Sequence, residues 1–290
     1  MMTDQYAVFG NPIKHSRSPQ IHSAFAAQTG QDINYVSTLV ESDQFQSAAS
    51  RFFKDGGKGL NITVPFKLDA FSFADKLSER ARRAGAVNTL IRQDDGSILG
   101  DNTDGFGLVR DICTNLDWAI EGKKILLVGA GGAVMGVLEP LLKKHPSLIV
   151  IVNRTVSKAQ KLTSNFADLG NIKACGFDGL KEKGQFDLII NGTSASLAGE
   201  IAPLPEQVLT AKTQGYDMMY AAEPTPFMRW MHEQGAQQTA DGLGMLVEQA
   251  AEAFTLWRGV RPATKPAITA IRTEMSSQTK LSANPYKLDK

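Results

Sequence analysis

The sequence predicts an α/β protein of two domains, each with a mainly parallel sheet. Short apolar runs alternate with amphipathic helical patterns from the start of the chain, an order that is typical of parallel strands joined by helices. In the second half the strands are unbroken runs of Val, Ile and Leu, as expected where helices cover both faces of a sheet. The 290 residues amount to about two domains of roughly 150 residues each.

The first domain follows this alternation in order. Its predicted elements are a strand at 6–9, a helix at 19–28, a strand at 33–40, a helix at 43–54, a strand at 60–64, two helical stretches and a strand at 87–92. Pro65 ends the strand before it, because proline cannot donate a hydrogen bond to a sheet. Asp94, Asp95 and Gly96 predict a turn into a further short strand.

The second domain begins after the segment GDNTDGFG at 100–107, where Gly and Asp interrupt the periodicity. An apolar helix is predicted from Phe106 to Leu116. The strands of this domain are predicted at 124–128, 148–152, 186–190 and 216–220.

These patterns divide the chain. We assign residues 1–104 to the first domain and residues 105–244 to the second. From Met245 the chain is helical again, and we expect 245–275 to pack against the first domain and complete it. The polar tail at 276–290 has little to bury, so we expect it to be mobile.

Charge and cysteine content exclude several classes of protein. The 31 Lys and Arg residues nearly balance the 30 Asp and Glu residues, which leaves no long-range field to hold nucleic acid or an anionic membrane. Cys113 and Cys175 lie far apart and lack a His or Cys at ligand spacing, so neither a disulfide framework nor a zinc site is expected. The chain starts without a secretory pattern, and its longest uncharged stretch, 125–138, is shorter than the roughly 20 residues of a spanning helix. We therefore expect a cytoplasmic protein.

A glycine-rich turn follows the strand at 124–128 and leads into a helix. In a dinucleotide-binding fold, Gly129 would form the tight turn, and Gly131 would let backbone N–H groups approach a pyrophosphate at the start of the helix. Val134 stands where the usual pattern has its last glycine, with Gly132 and Ala133 supplying small residues one step earlier. The alternative interpretation is a tight strand-to-helix turn without a ligand.

The residues at the end of the next strand indicate which dinucleotide the domain binds. NAD enzymes carry an acidic residue there for the ribose 2′-hydroxyl, whereas this chain has Asn153, Arg154 and Thr155, with Lys158 one turn later. A guanidinium suits a 2′-phosphate because its planar fork donates two hydrogen bonds. The pattern favours NADP; the alternative is a solvated arginine at a helix start.

Polar residues of the first domain form two further groups. Ser16 and Ser18 precede a helix, where they could receive a small carboxylate; the alternative is that Ser18 is only the N-cap of that helix. Strand alternation places Asn61 and Thr63 on one face, with Lys67 shortly after them. Taken singly, a lysine is usually a solvated surface group, and Asp-Gly, as at 104–105, is usually a turn.

Together these segments resemble the shikimate dehydrogenase family. The resemblance covers residues 5 to about 273 and rests on FGNPIKHSRSP, NITVPFK, GAVNTL, DNTDGFG, VGAGGA, VNRT, NGTS, YDMMY and DGLGMLVEQAAEAF, in that order. It implies an N-terminal substrate domain, a Rossmann-type NADP-binding domain and an active cleft between them. The implied activity is the reversible NADPH-dependent reduction of 3-dehydroshikimate to shikimate, on the pathway to chorismate and the aromatic amino acids. The implied assembly is a monomer or a homodimer.

The resemblance also implies roles for individual residues. The catalytic pair would be Lys67 and Asp104. The substrate would be bound by Ser16, Ser18, Asn61, Thr63, Asn88, Tyr220 and Gln249. The cofactor would be bound by Gly129, Ala130, Gly131, Gly132, Ala133, Asn153, Arg154, Thr155, Lys158, Thr193, Met218 and Gly242. The last residues, from Ser276 onward, extend beyond the usual end of the family and inherit no role.

Two other functions use the same fold. A quinate-accepting relative would more often carry Thr in the carboxylate-binding pair and an acidic residue in place of Arg154, which this chain does not have. A non-catalytic NADP sensor could lose Lys67 and Asp104, but both are present. No metal site is expected, because the acidic segment 101–104 does not fit a calcium loop and no two histidines lie four residues apart.

Overall fold

The computed structural model describes residues 3–282, which form two compact units. Unit 1 consists of Met1–Asp111, Met135–Pro140 and Leu246–Thr264. Unit 2 consists of Ile112–Val134, Leu141–Met245 and Lys265–Lys290. The chain therefore passes between the units several times.

Unit 1 contains a six-stranded mixed sheet in the order β2-β1-β3-β5-β6-β4. Its strands are β1 Asp4–Gly10, β2 Ile33–Leu39, β3 Gly59–Ile62, β4 Lys76–Leu77, β5 Thr89–Arg92 and β6 Ile98–Asp101. The pairs of β1 with β2, β1 with β3 and β4 with β6 are parallel, while β5 pairs antiparallel with β3 and β6. The predicted turn at 94–96 joins the antiparallel strands β5 and β6.

The helices of unit 1 come from the first 110 residues, from Met135–Pro140 and from the C-terminal part of the chain. The early ones are α1 Ser18–Thr29, α2 Phe45–Lys54, α3 Lys67–Phe73, α4 Glu79–Ala84 and α5 Asp104–Arg110. A short π-helical segment, Asp111–Asn115, continues α5, so the predicted helix at 106–116 exists but changes its winding. Helix α9, Leu243–Arg258, supplies most of the later segment of unit 1.

The core of unit 1 anchors the start of α3. Phe66 is fully buried and stacks on Phe45 of α2, with ring centroids 5.3 Å apart. Phe53 and Phe73 extend the same cluster, which covers one face of the sheet. Because Phe66 is held by this packing, the backbone of Lys67, the next residue, has a fixed position.

Unit 2 contains a six-stranded, fully parallel sheet in the order β12-β11-β10-β7-β8-β9. Its strands are β7 Lys124–Val128, β8 Leu148–Val152, β9 Ile172–Cys175, β10 Leu188–Asn191, β11 Gln214–Asp217 and β12 Gln238–Asp241. Counted from β7, this is the 3-2-1-4-5-6 order of a dinucleotide-binding fold, and the strand order reverses beside β7. The prediction of a Rossmann-type domain is confirmed.

Helices connect these strands: α6 Gly132–Leu142, whose residues Met135–Pro140 belong to unit 1, α7 Val156–Phe166 and α8 Pro226–Glu233. Helix α10, Lys265–Ser282, follows the last strand and also belongs to unit 2. The side chains of β7 and β8 from Ile125 to Val128 and from Ile149 to Val152 are completely buried, as their unbroken apolar runs predict.

The strands that the sequence patterns missed lie at sheet edges. β4, β9 and β12 are edge strands, and their polar or half-exposed residues lack the apolar runs of the central strands. Two predicted strands end at least two residues earlier than expected. β3 ends at Ile62, and Val64 is 68% exposed, so Val64 does not share the buried face of Ile62. β11 ends at Asp217, so the segment 218–220 belongs to a loop.

The C-terminal helix α10 continues to Ser282, beyond residue 275, at which we expected ordered packing to end. It belongs to unit 2, whereas Leu246–Thr264 belongs to unit 1. The remainder of the predicted tail, 283–290, lies outside the described residues. Among residues 3–282 no helix is both long and apolar enough to cross a membrane.

Candidate active site

An ion pair joins the starts of α3 and α5 in unit 1. Lys67 Nζ lies 2.5 Å from Asp104 Oδ2. The Lys67 side chain is 26% exposed and the Asp104 side chain 11% exposed, so solvent reaches the pair from the lysine side. Lys67 therefore presents an ammonium group whose orientation is set by a nearly buried carboxylate.

Asn88, just before β5, holds the other oxygen of that carboxylate. Its Nδ2 donates to Asp104 Oδ1 at 2.7 Å, and its Oδ1 accepts from the backbone N–H of Thr103 at 2.9 Å and from Thr89 Oγ1 at 2.9 Å. Gln249 of α9 contacts the same cluster of side chains, because its Oε1 accepts a hydrogen bond from Thr103 Oγ1 at 3.3 Å. The amide of Asn88 is thus oriented from both ends, which leaves Asp104 Oδ2 to Lys67.

A second chain of hydrogen bonds continues from this group toward α1. Asn61 Nδ2 donates to Thr89 Oγ1 at 3.2 Å, and Asn61 Oδ1 accepts from the Tyr35 hydroxyl at 2.7 Å. The backbone N–H of Ser18 donates to Ser16 Oγ at 3.3 Å, so the two serines lie together at the start of α1.

Unit 1 therefore contains one continuous set of hydrogen-bonded side chains, which we call the polar network. Its members are Tyr35, Asn61, Lys67, Asn88, Thr89, Thr103, Asp104 and Gln249. Thr63 lies beyond the end of β3, half-buried, with its methyl group against Gly10. The structure brings five of the predicted site residues into this network, while Ser16 and Ser18 contact each other at the start of α1.

The alternative interpretation of Ser18 as a helix cap is wrong. Arg17 occupies the N-cap position of α1, no side chain caps the helix there, and Ser18 is its first residue, followed by Pro19.

The glycine turn of unit 2 lies at the carboxyl end of β7, where the strand order reverses. Gly129 has a φ of 108°, which strongly favours glycine, and its N–H donates to Val152 O at 2.8 Å. A side chain at Gly131 or Gly132 would meet no atom within 4 Å, so the space beside the start of α6 is open. This open space with free helix N–H groups fits the pyrophosphate of a dinucleotide. Ala130 and Ala133 complete the turn.

Cationic and polar side chains follow β8. Asn153 Nδ2 donates to Thr155 O at 2.9 Å, which shapes the turn between β8 and α7. Arg154, Thr155 and Lys158 are exposed, and the Thr155 hydroxyl does not cap α7. The segment 153–158 carries no carboxylate, so it offers positive charge to a phosphate.

Three more predicted residues lie at the carboxyl ends of β10, β11 and β12. Thr193 Oγ1 donates to Asn191 Oδ1 at 2.7 Å. Gly242 contacts the backbone of Met218 so closely that a Cβ atom would lie 2.2 Å from Met218 O. Tyr220 follows in the same loop of unit 2 and is half-buried. Among the described residues no group of His, Cys, Asp and Glu side chains could hold a metal ion.

Comparison with known proteins decides the family. Residues 8–90 match the "Shikimate dehydrogenase substrate binding domain", residues 111–202 the "Shikimate / quinate 5-dehydrogenase" family and residues 242–272 the "Shikimate 5'-dehydrogenase C-terminal domain". The chain is 60% identical over 274 residues to a shikimate dehydrogenase (NADP(+)) of Cellvibrio japonicus, covering 94% of this chain and 99% of that relative. The chain belongs to the shikimate dehydrogenase family.

Solved structures agree with this family. A crystal structure of a Pseudomonas putida enzyme is 45% identical, with a TM-score of 0.87, covering 92% of this chain and 97% of that one. A Thermus thermophilus shikimate 5-dehydrogenase, solved in complex with NADP(H) and shikimate, is 28% identical with a TM-score of 0.83, covering 93% and 99% of the two chains.

In this member of the shikimate dehydrogenase family, four residues of the polar network or its surroundings were not predicted from the sequence. They are His22, Tyr35, Thr89 and Thr103. Thr89 follows Asn88 and Thr103 precedes Asp104 in the quoted motifs, so their place beside predicted residues was a signal. For His22 and Tyr35 no local pattern distinguishes a site residue from an ordinary core residue.

His22 of α1 is completely buried among aromatic rings. It stacks on Tyr35 with ring centroids 4.2 Å apart and an interplanar angle of 7°, and it also contacts Phe25, Phe254 and Trp257. Neither ring nitrogen meets a partner at hydrogen-bonding geometry among the described residues. Burial lowers the pKa of His22 to about 3, and the nearby Asn61 side chain opposes this only in part. The ring is therefore neutral at neutral pH.

A neutral buried histidine makes stability depend on pH in a definite direction. His22 binds a proton near pH 6.5 in the unfolded chain but only near pH 3 in the folded chain. Its contribution to the stability of the folded protein is therefore complete above pH 6.5 and is lost as pH falls toward 3. As pH falls below 6.5, we expect the free energy of unfolding to decrease faster for the wild type than for His22→Phe. The two slopes should differ by about 1.4 kcal/mol per pH unit. Urea unfolding at pH 7.5, 6.5, 5.5 and 4.5 measures both slopes.

The exposed His145 provides the control for this comparison. Its backbone φ is 52°, so His145→Asn is the substitution that the backbone tolerates, and this variant is expected to keep the wild-type slope. Parallel curves for the wild type and His22→Phe would show that His22 takes up its proton as readily in the folded protein as in the unfolded chain.

Proposed function

We propose that this protein catalyses the reversible NADPH-dependent reduction of 3-dehydroshikimate to shikimate. The observation that carries the proposal is the Lys67–Asp104 pair, held at 2.5 Å inside the polar network of unit 1. Unit 1 is the substrate domain and unit 2 the NADP-binding domain. The family membership and the relative named as NADP(+)-dependent support the same activity.

Unit 1 offers side chains for both ends of the substrate. Ser16 and Ser18 lie at the start of α1, where hydroxyl donors and helix N–H groups favour a carboxylate, and the family resemblance adds Tyr220 to this set. The ring hydroxyls are bound by the network side chains and the adjacent threonine, namely Asn61, Thr63, Asn88, Asp104 and Gln249.

Lys67 is the proton donor for the carbonyl oxygen of 3-dehydroshikimate. Its ammonium group is partly exposed, whereas the carboxylate that orients it is nearly buried, so the free N–H bonds point away from Asp104. Asp104 keeps the ammonium in place and accepts a hydrogen bond from the adjacent hydroxyl. NADPH, when bound, supplies the hydride to the carbonyl carbon. In the reverse direction the Lys67–Asp104 pair receives the proton.

The residues of unit 2 fit NADP. The open turn formed by Gly129, Ala130, Gly131, Gly132 and Ala133 receives the pyrophosphate at the start of α6. Asn153, Arg154, Thr155 and Lys158 bind the adenosine 2′-phosphate. Thr193, Met218 and Gly242, at the ends of the neighbouring strands, line the remainder of the cofactor site.

The protein acts in the cytoplasm on a small molecule, as a monomer or a homodimer, without nucleic acid or membrane. The near-zero formal charge of +1 supports the absence of polyanionic partners.

The first experiment tests Lys67. Lys67→Met removes the ammonium group but keeps most of the side-chain volume, and we expect turnover with shikimate and NADP to fall by roughly 10² to 10⁴ while the shikimate dissociation constant changes less than about tenfold. Nicotinamide absorbance and equilibrium titration measure the two quantities. Quinate replaces shikimate in a parallel assay, which separates the quinate-accepting alternative.

A matched control exists in the same unit. Lys76 pairs with Asp95 at 2.9 Å, but both side chains are 59% exposed, so Lys76→Met removes a surface pair and should leave turnover unchanged. Unchanged turnover of Lys67→Met with a large increase in the Michaelis constant would assign Lys67 to binding only. A wild type that binds NADP but oxidises neither shikimate nor quinate would favour the sensor alternative.

The second experiment tests the choice of cofactor. We expect the wild type to prefer NADP over NAD by at least about tenfold to a hundredfold, since charge-assisted hydrogen bonds contribute roughly 1.5 to 3 kcal/mol each. Arg154→Ala should lose most of this preference through a higher Michaelis constant for NADP, with little change for NAD. Lys161→Ala, which removes an exposed positive charge farther along α7, should keep the wild-type ratio. If Arg154→Ala retained the same ratio, the 2′-phosphate would have to bind elsewhere.

A further inference from the structure

Arg272 of the C-terminal helix α10 is bound to two other segments of unit 2. One guanidinium nitrogen, Nη1, donates to the backbone oxygen of Ala221 at 2.8 Å, and the other, Nη2, donates to Asp241 Oδ1 at 2.5 Å. Ala221 lies in the loop after β11, and Asp241 is the last residue of β12. Because the guanidinium is planar and rigid, these two bonds set the spacing between the loop and the end of the strand.

The helix that carries this guanidinium has a fixed position. Ala267, Ile271 and Met275 recur every four residues along α10 and are at most 8% exposed, so one face of the helix is buried. Arg272 directly follows Ile271, and its side chain is 40% exposed. The packing of its neighbours therefore anchors the backbone of Arg272, and the two hydrogen bonds direct its guanidinium.

Asp241 extends the link to the backbone on both sides. Its Oδ1 also accepts from the N–H of Leu243, the first residue of α9, at 3.2 Å. Its Oδ2 accepts from the N–H of Ala221 at 3.5 Å. Arg272 and Asp241 thus hold both backbone groups of Ala221, the N–H and the C=O, at the end of β12.

Two proposed cofactor residues, Met218 and Gly242, lie inside the segments that are linked in this way. Gly242 follows Asp241, and Met218 lies three positions before Ala221. The N–H of Gly242 donates to Met219 O at 3.0 Å, and a Cβ atom at Gly242 would lie only 2.2 Å from Met218 O. Because these backbones are in direct contact, a change in the spacing of the two segments shifts Met218 and Gly242 as well.

Met218 and Gly242 lie on the side of the sheet that the nicotinamide half of the cofactor would occupy. In the proposed function the pyrophosphate binds at the end of β7, and Arg154, after β8, binds the adenosine 2′-phosphate. β8 adjoins β7 on one side, whereas β10, β11 and β12 follow on the other. A dinucleotide that crosses the sheet where the strand order reverses then places its nicotinamide at the ends of β10 to β12.

We propose that Arg272 is a positioning residue for the nicotinamide half of NADP: its guanidinium fixes the distance between Ala221 and Asp241, and thereby the places of Met218 and Gly242. Arg272 acts through these backbone contacts and not on the nicotinamide itself. This role rests on the proposed function and deepens it, since it extends the cofactor site to the C-terminal helix.

Arg272→Met tests this role, because it removes the guanidinium but keeps most of the aliphatic stem. Calorimetric titration compares NADP with adenosine 2′,5′-bisphosphate, a probe that lacks the nicotinamide half. We expect the dissociation constant of NADP to rise roughly three- to tenfold and that of the bisphosphate to stay within about twofold. Turnover of shikimate at saturating NADP should fall at least about threefold, because a displaced nicotinamide is poorly placed for hydride transfer.

Arg229→Met is the matched control. Arg229 is an exposed arginine of α8 whose Nη1 donates to Pro224 O at 2.5 Å, but this bond joins residues five positions apart and links no distant segments. Both dissociation constants and the turnover should stay within about twofold of the wild type. Equal weakening of NADP and the bisphosphate by Arg272→Met would overturn the positioning role. A lower melting temperature with unchanged affinities and turnover would overturn it too.

Arg272→Lys keeps the positive charge but replaces the planar fork with one ammonium group. We expect the same selective loss of NADP affinity, roughly twofold to fivefold, with the bisphosphate unchanged. This variant also provides the test if Arg272→Met does not fold. Wild-type NADP affinity and turnover in Arg272→Lys would overturn the requirement for the guanidinium.

The titrations need no turnover, so the proposed function and the role of Arg272 can fail separately. A wild type that binds NADP but oxidises neither shikimate nor quinate would overturn the proposed activity, whereas a selective loss of NADP affinity in Arg272→Met would still support the positioning role. An active wild type in which Arg272→Met behaves as Arg229→Met does would overturn only the role of Arg272.

Discussion

A carboxylate that is almost buried must be met by donors, and the site in unit 1 depends on how Asp104 meets this requirement. An unpaired charge at such a depth would cost several kcal/mol. Asn88 satisfies one oxygen at 2.7 Å and Lys67 the other at 2.5 Å. Asn88 in turn keeps its orientation because Thr89 and Thr103 bind its own oxygen. Removing any of these groups leaves a buried polar atom without its partner, so the starts of α3, β5 and α5 are fixed together.

In unit 2 a buried carboxylate is satisfied by hydrogen bonds from neutral donors. Asp217, at the end of β11, is completely buried, and burial raises its pKa against the effect of its hydrogen bonds. Its carboxyl group accepts hydrogen bonds from Asn191, Ser196 and Thr225 at 2.6 to 3.0 Å. These contacts fix the loops after β10 and β11, which carry Thr193 and Met218. Asp217 thus orders loops, whereas Asp104 keeps a lysine with free N–H bonds at a partly exposed position.

Much of the fold could be predicted because the central strands bury both faces, so that runs such as Ile149–Val152 stand out in the sequence. The edge strands β9 and β12 are half-exposed and carry no such signal. At the site, Lys67 and Asn61 lie within a few residues of each other, so one motif indicates both. Tyr35 could not be found in this way, because its hydroxyl bonds to a residue 26 positions away and only tertiary packing makes the contact.

In the proposed function, the polar network around Asp104 forms the substrate site within unit 1. Calorimetric titration of shikimate, and separately of NADP, into the wild type, Asp104→Asn and Asp95→Asn tests it most directly. Asp104→Asn replaces the carboxylate with an amide. The NH₂ group of this amide would either face Lys67, or face Asn88 and lose the hydrogen bond that Asn88 donates. Asp95, in contrast, belongs to an exposed ion pair. We expect Asp104→Asn to bind shikimate at least about tenfold more weakly and NADP as the wild type does, with Asp95→Asn unchanged for both. Wild-type affinity of Asp104→Asn for shikimate, or an equal loss for both ligands, would contradict the claim.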